Sequence, residues 1–308
     1  MVPPIFEEIR KKRPGAWILY GLYSPLWWGR QEDMHLLKDI PQDAVAVWYI
    51  WNSEKSLLKA KDSDINIPPP MPNNILLFDD VARSLHLGAF VGEPYRCFCP
   101  QLERIQAVAI RQHKMNTQGV GVCGGPSEAP GNEIDYIAHL EFSRNPELSI
   151  DEFSSKYIAF LYGQKAEPLV LQLMLRQPTV QVPWERIWKS WAALMCYGYF
   201  SDQSFRNKYK LCSAGEEDLR ALREQIALAR EAREVASPSG KTRLDKIIQV
   251  LEEYRIIGEL SREESLQTLV KSNKNLPLKN VINAYEILKK SAADAGLSDE
   301  IYHYSRLK

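Results

Sequence analysis

Glycine and proline punctuation confines the stretch from Gln118 to Gly163 more tightly than any other part of this 308-residue chain. Val120 to Cys123 is a short apolar run, broken at once by Gly124-Gly125-Pro126. A helical pattern opens at Asn132, with Ile134, Ile137, Ala138 and Phe142 on one face at the period a helix needs. Asn145-Pro146 must end it, because the residue before a proline is driven out of the helical region. Ser149-Ile150-Asp151-Glu152 has the form of a capping box and starts a second helix, with Leu148 placed to pack on Phe153. Gly163 closes that helix, where a left-handed backbone is cheap for glycine. The order is therefore strand, loop, helix, tight break, helix. The loop carries one free carboxylate, Glu128.

Upstream of this stretch the chain alternates apolar runs with helical patterns. Residues 5 to 13 read as a short helix stopped by Pro14-Gly15, and its basic end, Arg10-Lys11-Lys12-Arg13, suits the helix dipole. Ala16 to Tyr23, Ala44 to Trp51 and Asn74 to Asp80 are almost wholly apolar, the pattern of strands buried on both faces of a parallel sheet. His86 to Glu93 is a further candidate. Leu102 to Met115 reads as a helix. Alternation of this kind points to a parallel α/β layer rather than a sandwich.

After Gly163 the strand signals stop. Trp184, Ile187, Trp188, Trp191 and Met195 recur at helical spacing and read as core. A capping box at Ser213 to Glu216 launches a helix with Leu219, Leu222, Ile226 and Ala229 on one face, which Pro238 and Gly240 break. Leu244, Ile247, Ile248 and Leu251 mark another, Ser261 to Glu264 caps the next, and Val281 to Leu288 forms a last one. The expected fold is thus α/β followed by all-α, with domains at 1–163 and 164–308.

A strand ending in Gly-x-Gly, a loop, Asn132-Glu133-x-x-Tyr136-x-Ala138, then Asn145-Pro146-x-Leu148-Ser149-x-x-Glu152-Phe153 and Tyr162-Gly163 resembles the last barrel strand and closing helices of certain glycoside hydrolases. The α-glucuronidase-like and related large (β/α)-barrel families are the ones it is similar to. The resemblance implies that residues 1–163 are the later strands of a partial (β/α) TIM-type barrel, followed by a C-terminal helical bundle. A complete barrel takes eight strands and about 250 residues. In retaining enzymes of this kind the acid follows the fourth strand and the nucleophile the seventh, so the resemblance places the fourth strand upstream of Met1. This chain then holds at most one of the two catalytic carboxylates.

Composition removes several partners. Lysine and arginine number 39 against 39 acidic residues, so nothing draws the chain to nucleic acid or an anionic membrane. No apolar run reaches the length of a membrane span, and the N-terminus lacks the apolar stretch of a signal peptide, so a cytoplasmic protein is expected unless a segment precedes Met1. Five cysteines, with Cys97-x-Cys99 lacking a second pair or nearby histidines, read as reduced thiols. The five histidines are dispersed; His139 and Asp135 could pair on a helix surface, and no third metal ligand accompanies them. Neither a dinucleotide fingerprint, a P-loop lysine nor a Gly-x-Ser-x-Gly elbow is present. No metal and no cofactor is expected.

In parallel α/β folds, functional side chains gather at the carboxyl ends of strands. Those positions hold Trp27 and Trp28, Trp51 and Asn52, Asp79 and Asp80, Glu93, and Glu128. Sugar hydrolysis needs one protonated carboxyl to assist the leaving oxygen and one carboxylate to attack or to activate water. Asp79, Asp80 and Glu93 are the catalytic candidates; Trp27, Trp28, Trp51, Asn52 and Glu128 are the substrate-binding ones. Neighbours in a strand point to opposite faces, so Asp79 and Asp80 cannot both serve one site. The bland alternatives are a helix cap for one of them, a surface turn at Glu93-Pro94, and a dipole-favoured carboxylate at Glu128. The expected function is a glycoside hydrolase-like protein acting on or binding carbohydrate. The alternative is a non-catalytic carbohydrate-binding or scaffold protein, a homo-oligomer whose half-barrel is completed by a second copy.

Overall fold

The computed structural model describes residues 2–16, 18–21, 45–50, 74–80, 98, 100–114, 119–123, 132–180 and 213–262. Helix α1 spans Val2–Lys12 and ends on its basic run, with Lys12 paired to Glu8 at 3.1 Å. Strands β1 (Leu19–Gly21), β2 (Val45–Ile50), β3 (Asn74–Asp80) and β4 (Gly119–Cys123) form one parallel sheet in the order β1-β2-β3-β4. Parallel neighbours require crossover connections, and the one between β3 and β4 contains helix α2 (Leu102–Lys114), which touches β4. Its face of Leu102, Ile105, Val108 and Ala109 is buried.

Helix α3 (Asn132–Arg144) follows β4, with Ile134, Ala138 and Phe142 buried. Asn145-Pro146 ends it as expected: the Asn145 amide still reaches Glu141 O at 2.9 Å, and the Leu148 amide then closes a turn onto Asn145 O. Helix α4 (Ile150–Phe153) starts directly after Ser149, widens into a π segment (Ser154–Ile158) and returns to α geometry in α5 (Ala159–Tyr162). Gly163 stops it at φ 97° and ψ 146°, a region reserved for glycine. A further helix, α6, occupies 167–180.

Helices α7 (Glu216–Val235) and α8 (Pro238–Leu260) pack as a hairpin. Leu219, Leu222, Ile226 and Ala229 of α7, and Leu244, Ile247 and Leu251 of α8, are buried. Each large apolar side chain removed from water contributes roughly 1.5–3 kcal/mol. Glu216, Glu217 and Asp218 occupy the first turn of α7, the sign its dipole favours. The start of α7 differs from the Ser213 capping box: Gly215 is the N-cap, and its amide donates to Asp218 Oδ2 at 2.8 Å. Pro238 and Gly240 do not simply break a helix either. Ser237 caps α8 by accepting the Gly240 amide at 3.1 Å, and Pro238 sits at the first helical position, where its missing N–H is harmless. Ser261 lies just past the end of α8, where its hydroxyl donates to Gly258 O and accepts from the Ala214 amide; the helix expected after it lies outside the described residues.

The fold class read from sequence needs correction. A partial (β/α) TIM-type barrel is not supported, because the described residues are mainly helical. Their four strands, three to seven residues long, lie in a row with β1 and β4 at its edges and no pairing between those two. A short apolar run reports burial, and neither how many strands a sheet has nor whether it closes. The candidate strand at 86–93 and the helices expected at 184–195 and 281–288 lie outside the described residues.

The chain divides into two compact units. The first comprises Met1–Val81, Leu102–Gly124 and Asp135–Ser149; the second comprises Ala82–Gln101, Gly125–Ile134 and Ile150–Lys308. The helix after Ser149 groups with the later helices in the second unit.

Candidate functional site

All four strands run the same way, so their carboxyl ends share one edge of the sheet. Asp79 is at that edge on an inner strand, in register with Ile50 of β2 and Val122 of β4. Asp80 follows, opposite Cys123. Open parallel sheets bind ligands just beyond this edge, in the crevice made by the following loops. Trp51 and Asn52 continue from β2 and Glu128 from the β4 loop, but these three, with Trp27, Trp28 and Glu93, lie outside the described residues. Among the sequence-derived candidates, the structure thus describes the backbone positions of Asp79 and Asp80.

One acidic residue to which sequence reasoning gave no role is held by its surroundings. Glu133, in the first turn of α3, takes a two-pronged contact from Arg243 of α8: Arg243 Nε donates to Oε2 at 2.8 Å and Nη2 to Oε1 at 2.9 Å. The hydrogen bonding from Arg243 holds the Glu133 carboxyl below its usual range, partial burial opposes this, and the charges of Arg243 and Lys246 add to the lowering. Arg243 is raised in turn, chiefly by its hydrogen bond to Glu133. The pair joins residues 110 apart, a separation that no local pattern announces. Asp135 and His139, expected on a helix surface, are buried instead, 1% and 4% exposed. Ile137 is only half-buried, so the inward stripe of α3 is rotated from the one its apolar residues suggest.

The end of the α4–α5 helix is fixed to the start of α8. Ser237 N donates to Tyr162 O at 2.9 Å, and a side-chain carbon built on Gly240 would lie 2.5 Å from that same oxygen. Only glycine permits backbones to approach so closely. Within the π segment Ser154 is fully buried and donates its hydroxyl to Glu167 Oε1. Among the described residues no cluster of three histidine, cysteine or acidic side chains could hold a metal, and no helix is long and apolar enough to cross a membrane.

No family model matches this sequence. No curated protein matches it either. Among solved structures, one match is described as a novel family GH115 4-O-methyl-α-glucuronidase, BtGH115A, with specificity for decorated arabinogalactans. It superposes with a TM-score of 0.52 at 11% sequence identity, over 94% of this chain and 35% of that one. This chain therefore spans about a third of that neighbour's length. At such low identity the likeness is one of fold, and it puts a glycoside hydrolase among the structural neighbours.

Proposed function

We propose that this chain is a glycoside hydrolase-like protein that engages carbohydrate at the carboxyl edge of its parallel sheet, with Asp79 as the carboxylate facing the sugar. The supporting observation is Asp79's register between Ile50 and Val122, at the end of an inner strand, in a chain whose fold likeness to a glycosidase covers 94% of its length. A carboxylate there accepts hydrogen bonds from sugar hydroxyls. In hydrolysis it would be one of two carboxyl groups, set roughly 5–5.5 Å apart for retention or 6.5–9.5 Å for inversion. Neighbouring strand residues alternate in facing, so with Asp79 in this role the second group would come from another segment, with Glu93 as the candidate and Glu128 as a sugar-binding carboxylate. Trp27, Trp28 and Trp51 would stack on sugar rings and Asn52 would bind a hydroxyl.

A second reading is carbohydrate binding without turnover, which a likeness of fold at 11% identity accommodates equally. Nitrophenyl glycosides and uronides separate the two, with release of nitrophenolate measured beside calorimetric titration of the free sugars. Release that falls by roughly 10²–10⁴-fold in Asp79→Asn but not in Asp80→Asn supports catalysis. Binding without release, weakened in Asp79→Asn alone, supports the second reading. Neither release nor binding across the panel overturns both.

A further inference from the structure

Within the second unit, a groove of about 550 Å³ lies between the α4–π segment and α6. That is inside the roughly 300–1,000 Å³ range of small-molecule sites. Pro168, Leu171 and Leu175 give it an apolar floor. Glu167 and Arg176 line it nine residues apart on α6, roughly 13 Å at 1.5 Å of rise per residue. Asp151, Ser155 and Gln172 supply the rest of its polar lining.

Charge pairing singles this groove out. Every other described arginine between 150 and 262 meets a carboxylate, Arg220 on Glu217 being the longest of these contacts at 4.0 Å. Among the described residues Arg176 has none, and its guanidinium is exposed at the groove. Asp151, across from it, is equally without an ion pair. Glu167 is held by the Ser154 hydroxyl through one oxygen only. Ser154, in the π segment, donates to Glu167 and its neighbour Ser155 lines the groove; such widened turns recur at functional sites.

An unpaired guanidinium selects a planar anion, and it binds carboxylates two-pronged. Two carboxylates nearby select hydrogen-bond donors and repel a second negative charge, which disfavours a phosphate ester. An apolar floor selects a guest with a C–H face. We propose that this groove binds a carboxylate-bearing sugar: the sugar carboxylate on Arg176, hydroxyls on Asp151, Glu167 and Gln172, the ring face on Leu171 and Leu175. The inference rests on the carbohydrate reading above and adds an acidic-sugar site apart from the sheet edge.

The experiment titrates the full chain with sodium glucuronate, glucose and sodium acetate, followed by calorimetry and by NMR shifts. Glucuronate is expected to bind roughly tenfold or more tightly than either control, and Arg176→Gln to lose roughly tenfold, the effect of one charge-assisted contact. Arg176→Lys should recover part of the loss. Arg176 is exposed, so its replacement leaves folding intact. Equal binding of acetate reduces the groove to an anion site, and equal binding of glucose removes the role of the carboxylate; either overturns the proposal, as does the absence of glucuronate binding. Binding that persists in Arg176→Gln and is lost in Asp79→Asn overturns the groove while leaving the sheet-edge reading intact. Binding lost in Arg176→Gln and kept in Asp79→Asn supports the groove even if the sheet edge binds nothing.

Discussion

The sheet of the first unit and the helices of the second hold together in different ways. β2, β3 and β4 share an unbroken ladder in which each residue repeats the pairing of its neighbour, from Val45–Asn74 to Ile50–Asp79 on one side of β3. The second unit instead concentrates its long-range ties at a few points: Ser237 and Gly240 against Tyr162, Arg243 on Glu133, Gln225 Nε2 on Leu173 O and Gln177 Oε1. A ladder spreads its free energy over many similar bonds, so one side-chain change removes little of it. Concentrated ties make single positions decisive. The second unit should therefore show large effects at small residues and the sheet should not.

Gly240→Ala is the sharpest way to break that comparison. Alanine in a helix gains about 1 kcal/mol over glycine in propensity. Here its methyl would stand 2.5 Å from Tyr162 O and 2.7 Å from Tyr162 Cα, backbone atoms that cannot swing aside. Overpacking of this kind reaches about 3 kcal/mol or more, so the clash wins and the variant is less stable in urea unfolding. Gly15 has nothing within 4 Å of the same built carbon, and Gly15→Ala should stay within about 0.5 kcal/mol of the parent. Equal unfolding midpoints for the two variants would sink the idea. Gly163→Ala ranks next. Its φ of 97° costs a non-glycine residue roughly 1–3 kcal/mol, and the added carbon meets Ser237 N at 3.0 Å. Loss of midpoint without change of slope would show that stability falls while the surface exposed on unfolding stays the same.

What the sequence announced divides along the same line. The apolar runs read at 16–23, 44–51, 74–80 and 120–123 overlap the strands at 19–21, 45–50, 74–80 and 119–123, and Asn145-Pro146 and Gly163 do end helices, because each depends on nearest neighbours. The partial barrel implied by the family resemblance is not supported, because the described residues are mainly helical. Cap assignments slipped where two polar candidates lay within a turn: Asp218 on Gly215 displaced Ser213, and Ser237 with Pro238 began a helix where a break was expected. Asp79 and Asp80 were legible as a strand end. Glu133, Arg176 and the groove were not, since their significance lies in which partner stands opposite, or in there being none among the described residues.

The smallest expected effect tests the same contrast through pH. Glu133 has a folded pKa lowered from 4.5 by its hydrogen bonds from Arg243, so the folded state binds the proton less readily than the unfolded chain does. Its contribution is thus fully present above about pH 4.5 and is lost as pH falls through the lower folded value. Both side chains are partly exposed, 43% for Glu133 and 31% for Arg243, and solvent screening limits the pair to roughly 0.5–1 kcal/mol. Glu133→Gln should remove that amount at pH 7, and the gap to the parent should close as pH falls through the lowered folded value, where the parent carboxyl takes up its proton. The pH-dependent part belongs to this residue if the difference between parent and variant shrinks on acidification; a constant difference would assign the loss to packing instead. High salt should reduce the gap at pH 7 only modestly, because the two prongs at 2.8 and 2.9 Å are hydrogen bonds as well as a charge pair.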